Sequence, residues 1–116
     1  MPLSTLDQPV YAAKADLFRA LGHPVRIRVL ELLVEGEQPV SALLADLGIE
    51  PSTLSQHLAV VKRTGLVVSS RSGNAVTYRL ADPSVGRFLA AARAVLAATL
   101  DRTRLVLAEL DGPADS

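Results

Sequence analysis

The chain has 116 residues, a formal net charge of zero, 49% hydrophobic residues and 3% aromatics, which fits one domain around an aliphatic core and excludes a largely disordered chain. With no cysteine, disulfides, thiolate metal sites, cysteine nucleophiles and thiol redox sensing are excluded. No apolar run reaches the roughly 18 residues of a membrane span, and MPLSTLDQP lacks the cationic start and apolar stretch of a signal peptide; the expected location is the cytoplasm, with no membrane partner.

In chain order, residues 1–8 are expected to form a flexible arm, 9–110 the domain and 111–116 a flexible tail. Pro9 suits the first turn of a helix, and Tyr11, Ala15, Phe18 and Leu21 recur at helical spacing until Gly22 stops the run. Pro24 starts a second helix in which Ile27, Leu30 and Leu33, flanked by Val29 and Leu32, form a broad apolar face to about Glu35. A short third helix over 40–46 turns Val40, Leu43, Leu44 and Leu47 inward and closes at Gly48, a position suited to a left-handed residue. The fourth starts near Pro51 and Ser52, carries Leu54, Leu58 and Val61 at spacings of four and three, and ends at Thr64 and Gly65. The third and fourth helices, joined by a tight turn, read as a helix-turn-helix.

The period then changes from 3.6 to about 2. Residues 66–71 and 75–80 read as two strands of a hairpin, turned by Ser72, Gly73 and Asn74. Asp82 or Ser84 can cap a final helix over 83–110, whose stripe of Phe88, Leu89, Ala92, Val95, Leu96, Thr99, Leu100 and Val106 or Leu107 is long and alanine-rich. The predicted fold class is mainly α with a small β-hairpin: a winged helix-turn-helix of four helices, two strands and a fifth helix.

Zero net charge argues against a nucleic-acid partner, but the distribution argues for one. Residues 1–50 hold four cations against seven acids, and residues 82–116 four against five, whereas residues 51–81 hold Lys62, Arg63, Arg71 and Arg79 and no acid. A solvated surface mixes signs; a segment without carboxylates suits a polyanion. The acid-free segment coincides with the fourth helix and the hairpin. On a helix sized for the major groove, Ser52, Thr53, Ser55, Gln56 and His57 are the candidates for base edges. Lys62, Arg63, Arg71 and Arg79 are the candidates for phosphates. His23, before a proline at a helix start, suits capping or packing better than metal ligation. Arg87, Arg93, Arg102 and Arg104 read as a solvated face. Ser55 and His57, two apart on one helix, point roughly 200° apart and form no catalytic relay; with no phosphate loop or ligand cluster, an enzyme is not expected.

The run PSTLSQHLAVVKRTGLVVSSRSGNAVTYRL, with its Ser55-Gln56-His57 step and Gly65-Leu66-Val67 entry to the wing, resembles the recognition helix and wing of the ArsR/SmtB family of bacterial transcriptional repressors. LFRALGHPVRIRVLELL, from Leu17 to Leu33, resembles the opening of the family's second helix. The resemblance covers about residues 11–110. It implies a homodimer that binds an inverted-repeat operator in double-stranded DNA and is released by an inducer. Its interface would lie on the first and last helices, at Tyr11, Phe18, Phe88, Leu89, Ala92, Val95, Leu96 and Leu100. The departure is in the sensor. Many members bind metal through cysteine on the third helix or through His, Asp and Glu on the last. Here the third helix has no sulfur, and the last has no His and no acid between Asp82 and Asp101. No metal and no cofactor are expected, so that sensing falls to another ligand or to a co-regulator protein. A winged-helix protein-interaction module is the alternative from a different class.

Overall fold

A computed structural model describes residues 8–111. Most of the expected arm and tail lies outside the described residues; Gln8 and Asp111, which lie within them, are helical. The elements are α1 (Gln8–Ala20), α2 (Pro24–Val34), β1 (Gln38–Pro39), α3 (Val40–Leu47), α4 (Pro51–Arg63), β2 (Val67–Ser72), β3 (Ala75–Leu80) and α5 (Pro83–Asp111). They fall into two compact units, one extending to Gly86 and one beginning at Arg87.

In the first unit, α2 starts on His23, whose Nδ1 accepts from the Val25 amide at 3.1 Å. Pro24 fits beside it because the first helical N–H has no partner to lose. α2 buries Val29, Leu30 and Leu33, while Ile27, expected inward, is on the surface. α3 buries only Leu43; Val40, Leu44 and Leu47 are half-buried. It stops at Gly48, which takes the left-handed conformation (φ 63°, ψ 34°) and donates its amide to the Leu44 carbonyl at 2.9 Å, a closure that a residue with a Cβ enters only at a cost. α4 buries Leu54, Leu58 and Val61. With Ala20, Leu66 and Val67 these side chains make a wholly aliphatic core, each large one stabilising the fold by about 1.5–3 kcal/mol.

The hairpin pairs from Val67↔Leu80 to Ser72↔Ala75 around a two-residue loop, Gly73-Asn74. Gly73 has φ 62°, and no non-glycine residue has positive φ among the described residues, the pattern of a type II′ turn with glycine first. The sheet has one strand more than the two expected. β1 pairs with β3 at Gln38↔Tyr78 and Pro39↔Thr77, giving the order β1-β3-β2. A proline, lacking an N–H, is tolerated there because β1 is an edge. This short pairing ties the start of α3 to the wing.

α5 begins where Asp82 Oδ2 accepts from the Ser84 amide at 2.8 Å, a side-chain cap on an end that otherwise leaves amides unpaired. It continues for 29 residues and buries none of them. The Thr99 and Thr103 hydroxyls donate back to the carbonyls of Val95 and Thr99 at 2.9 Å each, so both are satisfied within the helix. Among the described residues, no helix is long and apolar enough to cross a membrane.

Candidate nucleic-acid interface

The phase of α4 decides what it displays. Leu54, Leu58 and Val61 point into the core, and the helical period then turns Ser52, Thr53, Ser55, Gln56, Ala59, Lys62 and Arg63 outward, all of them exposed. Hydroxyls and an amide gather at the N-terminal half. Lys62 and Arg63 occupy the last turn, where the helix dipole favours cations. Ala59 was not singled out in the sequence, although it follows Ser55 by four and so shares its face.

Strand alternation divides the hairpin into two faces. Val67, Ser69 and Arg71 share one with Val76, Tyr78 and Leu80; Val68, Ser70 and Ser72 share the other with Ala75, Thr77 and Arg79. Arg71 and Arg79 are both exposed but sit on opposite faces. A groove of about 770 Å³ opens between the start of α3, the outer side of α4 and the hairpin, lined by Ser41, Ser55, Ala59, Lys62, Asn74, Val76 and Tyr78 among others. Arg71 belongs to the hairpin face that lines this groove. Ser41, Asn74 and Tyr78 had no signal in a linear reading, because α3 and the wing are brought together by β1.

His57 is the exception among the expected contacts. It is half-buried, with its ring centroid 4.2 Å from that of His23 at an interplanar angle of 42°, and its Nδ1 lies 3.2 Å from Arg26 Nη1. The reason is its spacing: three residues after Leu54 and four before Val61, it shares the inward phase of α4. His57 is therefore half-buried where the other expected α4 contacts are exposed, and it meets Arg26, itself half-buried, which the sequence gave no reason to select. The Arg26 guanidinium also donates through Nε to the Ala20 carbonyl at 2.7 Å and through Nη2 to the Arg19 carbonyl at 3.0 Å. Partial burial, then the neighbouring His23 and Arg26, hold the His57 imidazole below its ordinary value of 6.5.

Of the residues expected at a dimer interface, Tyr11 is 49% and Phe18 60% exposed on α1. Lys14 Nζ stands 5.5 Å from the centre of the Tyr11 ring, within cation–π range. On α5, Phe88 and Leu89 are half-buried, and Ala92, Val95, Leu96 and Leu100 are exposed.

A helix-turn-helix whose second helix shows a polar and cationic face beside a cationic hairpin is a winged helix-turn-helix. Residues 23–69 match the model of the bacterial regulatory proteins of the arsR family. The chain is 48% identical over 105 residues to the HTH-type transcriptional regulator Rv0081 of Mycobacterium tuberculosis, spanning 90% of this chain and 92% of that protein. It is 36% identical to the regulator NmtR of the same organism, over 76% of this chain and 73% of NmtR. The crystal structure of Rv0081 superposes with a TM-score of 0.77 over 82% of this chain and 96% of that one, at 49% identity. The solution structure of the homodimeric winged helix-turn-helix DNA-binding domain of Mb0332 from Mycobacterium bovis superposes at 0.75, with 30% identity, over 83% and 89% of the two chains. The chain belongs to the ArsR family of bacterial helix-turn-helix transcriptional regulators, which are DNA-binding proteins and not enzymes.

Among the described residues no group of three or more His, Cys, Asp or Glu side chains comes close enough to hold an ion. The one pair of imidazoles, His23 and His57, has both Nδ1 atoms engaged, by the Val25 amide and by a guanidinium, and the positive charge of Arg26 opposes a cation there.

Proposed function

We propose that the chain is a homodimeric repressor of transcription that acts in the cytoplasm, binds an inverted-repeat operator in double-stranded DNA and has no tight metal site of its own. The observation that carries this reading is the acid-free stretch of residues 51–81, whose four cations, Lys62, Arg63, Arg71 and Arg79, are all exposed on α4 and the hairpin. A B-DNA major groove admits one helix. With α4 in it, Ser52, Thr53, Ser55 and Gln56 meet base edges, with Ala59 placed to touch a thymine methyl. Lys62, Arg63 and the hairpin arginines meet phosphates, which position the protein without reading sequence.

Residues 9–110 on this reading supply both DNA binding and dimerisation. Large apolar side chains exposed on α1 and α5, among them Phe18, Val95, Leu96 and Leu100, support a partner copy, since leaving such area in water costs about 25 cal/mol per Å². The homodimer named for the Mb0332 domain supports the same arrangement. Fluorescence anisotropy on the DNA flanking the chain's own gene tests the reading. The expected result is a saturable complex of two protomers per site, displaced far better by the same sequence than by random duplex. Equal displacement by both duplexes would refute it.

A further inference from the structure

The contact between Arg26 and His57 sets a chemical condition on the second of them. A guanidinium offers five N–H donors and no acceptor, so a ring nitrogen 3.2 Å from Arg26 Nη1 must present a lone pair. His57 is therefore a neutral imidazole with its proton on Nε2. The guanidinium is not free to turn away, because Nε and Nη2 are spent on the carbonyls of Ala20 and Arg19 at the end of α1; the Arg19 carbonyl also accepts from the Gly22 amide at 3.0 Å. The charged and titratable groups acting on His57 are His23 and Arg26, both from the start of α2. From α1 the clamp receives backbone carbonyls, and the Arg19 side chain itself pairs with Asp16. A proton on Nδ1 would thus set donor against donor, and charge against charge.

We propose that Arg26 and His57 are a positioning pair that fixes α4 against the end of α1, and that proton uptake by His57 releases α4, so that operator binding weakens in acid. The proposal rests on the DNA-binding reading. Its sign is its distinguishing mark. A histidine that touched phosphate would gain charge in acid and tighten binding, whereas here the proton breaks a contact behind the binding face.

Two measurements on the full chain test it. Long-range nitrogen–proton correlation spectra of the wild type at about pH 8 should show His57 Nδ1 unprotonated and Nε2 protonated; the opposite tautomer overturns the proposal without any variant. Operator affinity is then followed from about pH 8 to about pH 5.5 at fixed ionic strength, each protein scaled to its own value at the upper pH. The wild type, with a His57 in each of its two protomers, should weaken by about tenfold or more. His57→Asn, whose amide oxygen occupies the place of Nδ1 without titrating, should weaken less than about threefold. His23→Asn, which retains a capping side chain and leaves the Arg26–His57 contact in place, should still weaken in acid by more than His57→Asn does. Binding by the wild type that holds constant or tightens in acid, or a His57→Asn protein that weakens as much, overturns the pair. Failure of the wild type to bind the operator at the upper pH instead overturns the DNA-binding reading, and the tautomer still decides the contact.

Discussion

Ser70 and Thr77 face each other across the hairpin with their hydroxyl oxygens 2.8 Å apart, and they mark the face that carries Arg79 and turns away from Arg71. The two wing arginines are therefore not equivalent, since Arg71 shares its face with Val76 and Tyr78 at the groove beside α4. If most of the eight cations of two acid-free segments meet phosphates, the slope of log K against log salt is about −4 to −7, at roughly −0.9 per contact. Arg71→Ala should flatten it by about 1–2, two copies being lost per dimer, and weaken all sequences alike. Arg79→Ala should flatten it less. Anisotropy titrations across a salt series measure both, and equal effects would remove the distinction between the faces.

Gln56 is exposed beside Ser55 on the outer side of α4, and its amide can pair bidentately with adenine. Gln56→Ala should cost about 1–3 kcal/mol at one base position and relax preference there, leaving the salt slope unchanged. Competition among operators substituted base by base reads this directly. Unchanged preference at every position would refute the assignment.

Most of the fold was legible because its signals are local. Periodicity in Leu54, Leu58 and Val61, the Gly48 closure and the Gly73 turn each report on a few adjacent residues, and each stands where the sequence places it. β1 was not legible: two residues carry no period, and Gln38 and Pro39 become a strand only because β3 lies beside them. The site divides the same way. The outward face of α4 follows from its inward one. The inward turn of His57 was available from its spacing to Leu54 and Val61, but its partner was not, since Arg26 lies 31 residues away and two of its bonds go to backbone carbonyls, which any sequence possesses.

Val95 and Leu96 are 65% and 57% exposed on a helix that buries no residue of its own. A charge introduced there should therefore leave the first unit folded and act on association. Val95→Glu or Leu96→Glu should shift sedimentation from dimer to monomer at micromolar concentration and abolish tight operator binding, because each half-site then binds alone. A wild type that sediments as a monomer would contradict the dimer itself.

Stability without DNA should fall in acid. Partial burial, His23 and Arg26 lower the affinity of folded His57 for protons below its ordinary value of 6.5, whereas the unfolded chain titrates near that value. The unfolded state then binds more protons as pH falls, and stability falls with pH wherever that holds. The contribution of His57 is fully present above about pH 6.5 and is lost as pH drops through that value toward the lower folded one. Urea midpoints at several pH values should show this decline in the wild type and a shallower one in His57→Asn. A midpoint that rises in acid would reverse the sign.

Soft and borderline ions are held tightly by imidazole or thiolate, and isolated carboxylates on a solvated helix lose most of their attraction to water. This chain has no thiol. Of its two imidazoles, each has spent Nδ1 on a protein donor, that of His57 on a guanidinium, leaving one nitrogen apiece, and no third ligand joins them among the described residues. Zinc, nickel and cadmium should therefore show no stoichiometric binding tighter than about micromolar by calorimetry. The protein should bind its operator without added metal, and a chelator should not release it. A submicromolar site that changed operator affinity tenfold, about 1.4 kcal/mol of coupling, would overturn this. It would require either that Arg26 leave His57 to free its Nδ1, or that ligands come from a second protein.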